Sequence, residues 1–158
     1  PYVDADRIGI WGWSYGGYMT LEALFNAGDV FKVGVSVAPV TDWRLYDSIY
    51  TERYMKLPKD NEEGYNASAP LNDVAGYQGH LLLMHGDGDN NVHMQNAVSL
   101  VRKLIDNGRD FDYMVFPGKE HGIAGSKDRV FLFRKMTEFF DRNLKAAGSV
   151  SPGATPAP

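Results

Sequence analysis

Short runs of apolar residues alternate along the chain with segments whose apolar residues recur at helical spacing. The runs hold few charges and are bounded by glycine or proline, which is typical of strands buried on both faces of a sheet. They predict four strands, at Arg7–Trp11, Lys32–Val40, His80–Met84 and Phe111–Phe116. The segments with helical spacing predict three main helices, at Tyr18–Ala27, Met94–Asn107 and Asp128–Leu144.

This alternation of strands and helices predicts an α/β fold with a mostly parallel sheet flanked by helices. Two segments do not fit the alternation. Lys56–Tyr77 is polar and interrupted by proline and glycine, and it predicts an irregular excursion over the sheet edge. Ala146–Pro158 is made of small residues and prolines without periodicity, and it predicts a disordered tail, which leaves 1–145 as the folded unit.

Composition and charge exclude several classes of protein. The chain has 158 residues, a formal charge of −4 and no cysteine. A net negative charge provides no basic field for nucleic acid, so no nucleic-acid partner is expected. The chain contains no run of eighteen apolar residues, so no membrane-spanning helix is predicted. The absence of cysteine excludes disulfides, thiol catalysis and cysteine-ligated metal.

One motif in the chain carries the chemistry of a nucleophile. The sequence Gly12-Trp13-Ser14-Tyr15-Gly16 matches G-x-S-x-G, and it follows a predicted strand and precedes a predicted helix. The turn is so sharp that a Cβ two residues to either side of the serine is expected to collide with its neighbours. The pattern predicts Ser14 as the nucleophile, with the backbone N–H of Tyr15 directed at the developing oxyanion.

A serine hydroxyl is a weak nucleophile at neutral pH and needs a neighbouring base. The chain has four histidines, His80, His85, His93 and His121. The order in α/β-hydrolases is serine, then acid, then histidine, and His121 lies in a loop just past the last predicted strand. His121 is therefore the expected base, and the other three are interpreted as structural or surface histidines.

The acid is expected in the loop after the third predicted strand. Asp87 and Asp89 both lie there, and spacing alone does not separate them. The same loop resembles the start of a calcium loop through Asp87, Asp89 and Asn91. However, Val92 stands where that loop needs glycine, and Val98 stands where it needs a bidentate glutamate. No metal site is therefore expected.

Four separated motifs resemble the C-terminal catalytic region of the dipeptidyl peptidase IV group, which belongs to the prolyl oligopeptidase family of α/β-hydrolases. They are GWSYGGYMT, APVTDW with YDSIYTERYM, HGDGDNNVH and EHGI. The resemblance covers the chain from Asp4 to Leu144. It implies that residues 1–145 form the C-terminal part of an α/β-hydrolase catalytic domain, and that no cofactor is required.

The resemblance also implies residue roles. It makes Ser14 the nucleophile, His121 the base and Asp89 the acid, with the Tyr15 N–H as an oxyanion donor. It further implies a pocket for the residue before the scissile bond, lined by Tyr15, Val40, Trp43, Tyr46, Tyr50 and Val92. Asn91 matches the side chain that donates to the preceding carbonyl of the substrate.

The aromatic residues of this segment also have a regular spacing. Trp43, Tyr46, Tyr50 and Tyr54 are three, four and four residues apart, so they could share one helical face. Tyr54 is interpreted as core packing, whereas the resemblance implies that the other three line the pocket. An aromatic slot suits a flat proline ring or a small alanine through area burial and face contact.

The function implied by the resemblance is a serine exopeptidase. It would release N-terminal dipeptides after a penultimate proline or alanine through an acyl-enzyme. Two alternatives remain open: another α/β-hydrolase, such as a tripeptidyl or acylaminoacyl peptidase or an esterase, and a non-catalytic binding homologue. In relatives a second oxyanion donor comes from an upstream segment. The acidic pair that captures the substrate amine comes from an upstream β-propeller. Dipeptidyl specificity therefore rests on the resemblance alone.

Assembly and location are expectations of the same kind. Four consecutive apolar residues at Val130–Phe133 indicate a helix covered on more than one side. Relatives dimerise through this region, so we expect a homodimer of the whole enzyme. The position of the elbow at Ser14 predicts that half of the sheet is missing and that the isolated segment is poorly folded or inactive. The sequence identifies no compartment, and relatives favour a periplasmic or other extracytoplasmic one.

Overall fold

The computed structural model describes residues 2–145, so Pro1 and the predicted tail at Ala146–Pro158 lie outside the described residues. The strands are β1 (Gly9–Trp13), β2 (Val33–Val37), β3 (His80–Gly86) and β4 (Asp112–Phe116). The helices are α1 (Tyr15–Asn26), α2 (Ser48–Met55), α3 (Glu62–Ala67), α4 (Pro70–Asp73), α5 (Gln95–Asp106) and α6 (Ser126–Leu144). Single 3₁₀ turns lie at Trp43–Leu45, Pro58–Asp60 and Val74–Gly76.

The four strands form one sheet in the order β1-β2-β3-β4, and every neighbouring pair is parallel. The register aligns Trp13 with Val37, Val37 with Met84, and Met84 with Met114. Because the strands are parallel, their carboxyl ends and the loops that follow them meet at one edge of the sheet. The α/β fold with flanking helices is confirmed.

The core has one layer on each side of the sheet. Val33, Val35 and Val37 of β2 point to one face, where they pack with Leu132 and other buried residues of α6. On the opposite face the core consists of Leu81 and Leu83 of β3 together with α1 and α5 residues, which are Leu21, Leu24, Phe25, Ala97, Leu100 and Leu104. All five residues of β2 are buried, as the continuous apolar run predicts.

Several predicted boundaries were displaced by local backbone chemistry. Strand β1 begins at Gly9 rather than Arg7, whose guanidinium pairs with Asp4 at 2.7 Å in the turn before it. Strand β2 ends at Val37 rather than Val40, because Ala38 adopts a φ of 46° that cannot continue an extended strand. Helix α1 begins three residues before the predicted start, directly after the serine.

The prediction that Lys56–Tyr77 is irregular was wrong. The segment contains α3, α4 and two 3₁₀ turns, and Val74 and Tyr77 are buried in the core layer of α1 and α5. Each helix is too short to show a period. Local capping defines them instead: the Asn61 side chain accepts the Gly64 N–H at 3.2 Å, and Pro70 occupies the first turn of α4.

Helix α6 is apolar on more than its core-facing side. Leu132 is buried, whereas Val130 is 68% exposed and Phe133 is 43% exposed. Phe133 has one aromatic contact, an edge-on approach to Trp11 of β1 at 6.3 Å between ring centroids. No helix between residues 2 and 145 has the length and apolar character needed to cross a bilayer.

Candidate active site

Ser14 occupies a strained turn between β1 and α1. Its backbone has φ 59° and ψ −119°, which residues other than glycine rarely adopt, and its N–H donates to Val37 O at 2.8 Å. A Cβ on Gly12 would lie 2.1 Å from Gly16 O, and one on Gly17 would lie 2.7 Å from Val37 O. A Cβ on Gly16 would meet nothing within 4 Å, so the predicted collision there was wrong.

Tyr15 is the first residue of α1, directly after the serine. The N–H groups of a helix's first turn have no intrahelical acceptor, and they lie at the positive end of the helix dipole. The Tyr15 N–H is therefore suited to receive a negatively charged oxygen beside Ser14. The Tyr15 ring contacts the Trp43 ring at 5.9 Å between centroids, which joins the elbow to the aromatic cluster described below.

Asp89 and His121 are hydrogen-bonded across the loops that follow β3 and β4. His121 Nδ1 lies 2.8 Å from Asp89 Oδ2. The second carboxylate oxygen, Oδ1, accepts the N–H groups of Asn91 at 3.0 Å and Val92 at 2.9 Å. Because a carboxylate accepts, Nδ1 carries the proton, and Nε2 of His121 is the nitrogen that can take a proton from a hydroxyl.

Asp87 has a different partner, and this separates the two aspartates that spacing could not. Its Oδ1 accepts the backbone N–H of Gly118 at 2.6 Å, in the turn that leads from β4 to His121. The neighbouring Gly88 N–H donates to Lys119 O at 3.0 Å. Asp87 therefore holds the loop that carries the histidine, while Asp89 contacts the histidine itself.

The His121 loop is attached to the elbow through Trp13. The Trp13 indole Nε1–H donates to the backbone carbonyl of His121 at 2.9 Å. The guanidinium of Arg129 lies over the Trp13 ring at 5.0 Å, and its Nε donates to Ile123 O at 3.3 Å. The bonds at His121 O and Ile123 O therefore attach this loop to Trp13 and Arg129.

The other histidines lie as the sequence analysis expected, with one addition. His80 and His93 are exposed. His85 is fully buried, with Nε2 2.8 Å from Val92 O and 3.3 Å from Asp89 Oδ2. Burial lowers the pKa of His85. Its contact with Asp89 was not predicted, although the sequence places it four residues before Asp89, at the end of β3.

Aromatic rings surround Trp43 next to the elbow. Its centroid lies 5.9 Å from Tyr15, 6.0 Å from Tyr46 and 5.9 Å from Tyr50, whose ring is within 24° of parallel. The buried cluster that contains Trp43 also includes Val40 and Val92. The structure thus brings all six residues predicted to line the pocket into one region.

These aromatic residues do not share one helical face, so that expectation was wrong. Trp43 belongs to a 3₁₀ turn, and α2 starts only at Ser48. Asp42 and Asp47 each cap one piece by accepting a backbone N–H, which breaks the helix that the spacing suggested. Ring contacts between successive aromatic residues hold the two pieces together.

A cavity of about 420 Å³ opens beside this cluster. It is lined by Tyr15, Tyr18, Trp43, Tyr50, Thr51, Tyr54, Met55 and Ser68. Val40, Tyr46 and Val92 of the predicted lining lie outside this set. Tyr54 is 68% exposed and borders the cavity, so its interpretation as core packing was wrong.

Asn91 is oriented by Tyr46. The Tyr46 hydroxyl donates to Asn91 Oδ1 at 2.8 Å. Burial raises the pKa of Tyr46, so the hydroxyl remains a donor at neutral pH. Because the amide oxygen is occupied, the Nδ2 hydrogens of Asn91 are directed away from Tyr46 and are the part of the side chain available to an acceptor. Among the described residues no group of three or more His, Asp or Glu side chains is arranged to hold a metal ion.

A serine on a strand–turn–helix elbow, combined with an Asp–His pair on loops at the same sheet edge, defines a serine hydrolase of the α/β-hydrolase type. The comparisons with known proteins specify the class further. The sequence pattern of the prolyl oligopeptidase family matches residues 1–147, and the chain belongs to that family.

Similar proteins carry dipeptidyl peptidase names. "Probable dipeptidyl-aminopeptidase B" of Neurospora crassa is 52% identical over 141 residues, 87% of this chain and 15% of that protein. "Probable dipeptidyl peptidase 4" of Aspergillus clavatus is 49% identical over 144 residues, 87% of this chain and 19% of that protein. The crystal structure of Porphyromonas gingivalis dipeptidyl peptidase 4 superposes with a TM-score of 0.89 at 47% identity. That match covers 91% of this chain and 20% of the crystallised one.

Proposed function

We propose that residues 1–145 form the C-terminal part of the catalytic domain of a dipeptidyl peptidase. The enzyme releases N-terminal dipeptides after a penultimate proline or alanine through an acyl-enzyme. The observation that carries the proposal is the 2.8 Å contact between His121 Nδ1 and Asp89 Oδ2, on a loop tied to the elbow of Ser14. The names of the similar proteins support a dipeptidyl peptidase.

In the proposed reaction Ser14 Oγ attacks the carbonyl carbon of the second substrate residue. His121 Nε2 takes the hydroxyl proton, and Asp89 holds the imidazole in the required tautomer and stabilises the imidazolium. The Tyr15 N–H donates to the oxyanion. His121 then gives the proton to the leaving amine as the acyl-enzyme forms. In the second half, His121 takes a proton from the water that attacks the ester carbonyl and returns it to Ser14 Oγ as the dipeptide leaves.

The aromatic cluster supports the proposed specificity for proline or alanine. A proline ring buries its faces against flat aromatic walls without losing rotamer freedom, and a small alanine also fits. The proposed walls are Tyr15, Val40, Trp43, Tyr46, Tyr50 and Val92. The Nδ2 hydrogens of Asn91 are placed to donate to the carbonyl that precedes the scissile bond, since Tyr46 occupies Oδ1.

The proposal includes parts supplied by other chain segments. The described chain spans 15–20% of the length of the relatives reported above, which fits a separate N-terminal domain in those proteins. We assign to an upstream β-propeller the acidic pair that captures the substrate amine, and to an upstream tyrosine the second oxyanion donor. The exposed apolar side of α6 at Val130 and Phe133 supports a homodimer. Light scattering of the full-length protein at micromolar concentration is expected to give the mass of a dimer.

Chromogenic substrates distinguish the proposed activity from its alternatives. The full-length protein is expected to hydrolyse Gly-Pro-p-nitroanilide with a higher kcat/KM than Ala-Ala-Pro-p-nitroanilide or an acyl ester. The Ser14→Ala variant provides the blank for each substrate. A preference for Ala-Ala-Pro-p-nitroanilide would assign a tripeptidyl peptidase, and a preference for the ester would assign an esterase or acylaminoacyl peptidase.

A further inference from the structure

His85 is a fully buried histidine at the end of β3, close to Asp89. Its Nε2 lies 2.8 Å from Val92 O and 3.3 Å from Asp89 Oδ2. Both neighbours are acceptors, because one is a carbonyl oxygen and the other is a carboxylate oxygen. The hydrogen must therefore be on Nε2, where it bonds the Val92 carbonyl, and Asp89 Oδ2 lies within ion-pair distance of the same nitrogen.

The other ring nitrogen, Nδ1, is buried without a hydrogen bond to the described residues. The charged or titratable groups that face the ring are Asp89 and His121. Burial lowers the pKa of His85, so the ring stays neutral and Nδ1 stays unprotonated at the pH at which a histidine base works. A buried nitrogen without a hydrogen-bond partner lowers the free energy of unfolding. The Nε2–H donor on the same ring is the group that could offset this cost.

That donor completes the surroundings of the Asp89 carboxylate. Oδ1 accepts two backbone N–H groups, from Asn91 and Val92. Oδ2 faces His121 at 2.8 Å and His85 at 3.3 Å. Donors on both oxygens fix the rotation of the carboxylate, which sets the angle at which Oδ2 meets the His121 ring.

The same donor connects the acid to the buried cluster around Trp43. Val92 is fully buried in the Trp43 cluster, and its carbonyl is the closer acceptor of the His85 hydrogen. The segment from Asp89 to Val92 is therefore fastened at both ends, by the Asp89 bonds to its backbone and by His85. Movement of this segment would displace the acid and the Val92 side of the Trp43 cluster together.

We propose that His85 is a positioning residue for the acid: its Nε2–H holds the Asp89 carboxylate and the Val92 carbonyl, and through Asp89 it sets the orientation of His121. This inference rests on the proposed roles of Ser14, Asp89 and His121. It assigns His85 no contact with the substrate.

The test compares three variants of the full-length protein by the rate at which a fluorophosphonate labels Ser14 across a range of pH. His85→Leu keeps the volume and removes the donor, whereas His85→Gln retains an amide N–H. His85→Leu is expected to label about 10- to 100-fold more slowly than the parent. The acid limb of the pH profile of labelling is expected to move up by roughly half a pH unit in His85→Leu. A carboxylate with one donor fewer stabilises the His121 imidazolium more strongly. His85→Gln is expected to recover most of the rate.

His80→Leu makes the same substitution at an exposed histidine that starts the same strand, and it is expected to leave rate and pH profile unchanged. A purely structural role for His85 would lower the fraction of protein labelled at completion without moving the acid limb. If His85→Leu does not fold, His85→Ala with added imidazole gives the same comparison, and imidazole is expected to raise the labelling rate.

The outcomes separate this inference from the proposed function. If the parent is labelled at Ser14 and His85→Leu has the same labelling rate and the same acid limb of the pH profile, the role of His85 alone is overturned. Loss of labelling in His85→Gln as large as in His85→Leu, or no response of His85→Ala to imidazole, would overturn it as well. A folded parent that is not labelled at all would overturn the triad and this inference together.

Discussion

The Trp13 indole donates to the backbone carbonyl of His121 at 2.9 Å, which links the residue before the proposed nucleophile to the proposed base. The two residues lie 108 positions apart in sequence. Since the serine elbow and the histidine loop belong to different strands, a direct bond between them fixes their separation more closely than the sheet alone. The guanidinium of Arg129 lies over the same indole.

Replacing this indole is expected to slow catalysis while leaving the fold intact. Trp13→Phe keeps an aromatic ring for Arg129 but removes the donor to His121 O. We expect kcat of the full-length protein on Gly-Pro-p-nitroanilide to fall about tenfold, the cost of one hydrogen bond. Trp11→Phe is the matched control, since that ring is half exposed and contacts Phe133. Equal kcat values for the two variants would show that the bond does not position His121.

The two aspartates of the β3 loop are expected to differ sharply. Asp89→Asn presents the wrong group to His121 Nδ1 and is expected to lower kcat by about 10⁴-fold. Asp87→Asn retains an oxygen for the Gly118 N–H and is expected to cost less than about tenfold. Steady-state kinetics of the two full-length variants measures both effects. If Asp87→Asn loses more of kcat than Asp89→Asn, the acid is wrongly assigned.

Substrate orientation is expected to depend on the Tyr46 hydroxyl. In Tyr46→Phe the Asn91 amide loses the donor that fixes its oxygen, so its Nδ2 hydrogens no longer point consistently at a substrate carbonyl. We expect KM to rise about three- to tenfold, with a smaller change in kcat. Tyr54→Phe removes the hydroxyl of an exposed neighbour and serves as the comparison. A fall in kcat without a rise in KM would argue against binding through Asn91.

The elbow glycines are expected to differ in tolerance. Gly12→Ala forces a Cβ against the Gly16 carbonyl, and Gly17→Ala forces one against the Val37 carbonyl. Each is expected to lower the free energy of unfolding by about 2 kcal/mol or more. Gly16→Ala places its methyl group in open space within a helix and is expected to change stability by less than about 1 kcal/mol. Thermal unfolding ranks the three variants, and a Gly16→Ala as unstable as Gly12→Ala would contradict the geometry.

The buried imidazole of His85 makes stability depend on pH. Burial holds its folded-state pKa below the ordinary value of 6.5, so below about pH 6.5 the unfolded chain binds a proton that the folded protein does not. Stability is therefore lost as pH falls, with a contribution approaching about 1.4 kcal/mol per pH unit. In His85→Gln this contribution is absent, and the melting temperature between pH 7 and 5 is expected to fall less steeply than in the parent. Parallel curves for the two proteins would show that burial does not lower the pKa of His85.

The sequence predicted the sheet because its strands are continuous apolar runs, and it predicted the elbow because the motif and its flanking elements agree. It did not predict α3 and α4, which are defined by the Asn61 cap and by Pro70 rather than by periodicity. The aromatic residues were also misassigned to one helix, because Asp42 and Asp47 start separate pieces. Side-chain caps determine where these short helices begin, and a pattern of hydrophobic residues does not reveal such caps.

Within the candidate site, residue types were predictable and pairings were not. The elbow and the chain order pointed to Ser14 and His121, whereas Asp87 and Asp89 remained equivalent until the resemblance favoured one. Only the three-dimensional structure separates them by contact, since Asp87 meets Gly118 and Asp89 meets His121. The bond from Trp13 to His121 spans most of the chain and has no signature in the sequence.

The most direct test of Ser14 as the nucleophile of a dipeptidyl peptidase is a rapid-mixing experiment on the full-length protein. An activated Gly-Pro ester is expected to release a burst of about one equivalent of leaving group per active subunit, and mass spectrometry of the quenched enzyme is expected to find the dipeptidyl group on Ser14. The Ser14→Ala variant is expected to show neither the burst nor turnover of Gly-Pro-p-nitroanilide. A Ser14→Ala protein that retains the parent's peptidase activity, or a dipeptidyl group attached elsewhere, would contradict the mechanism.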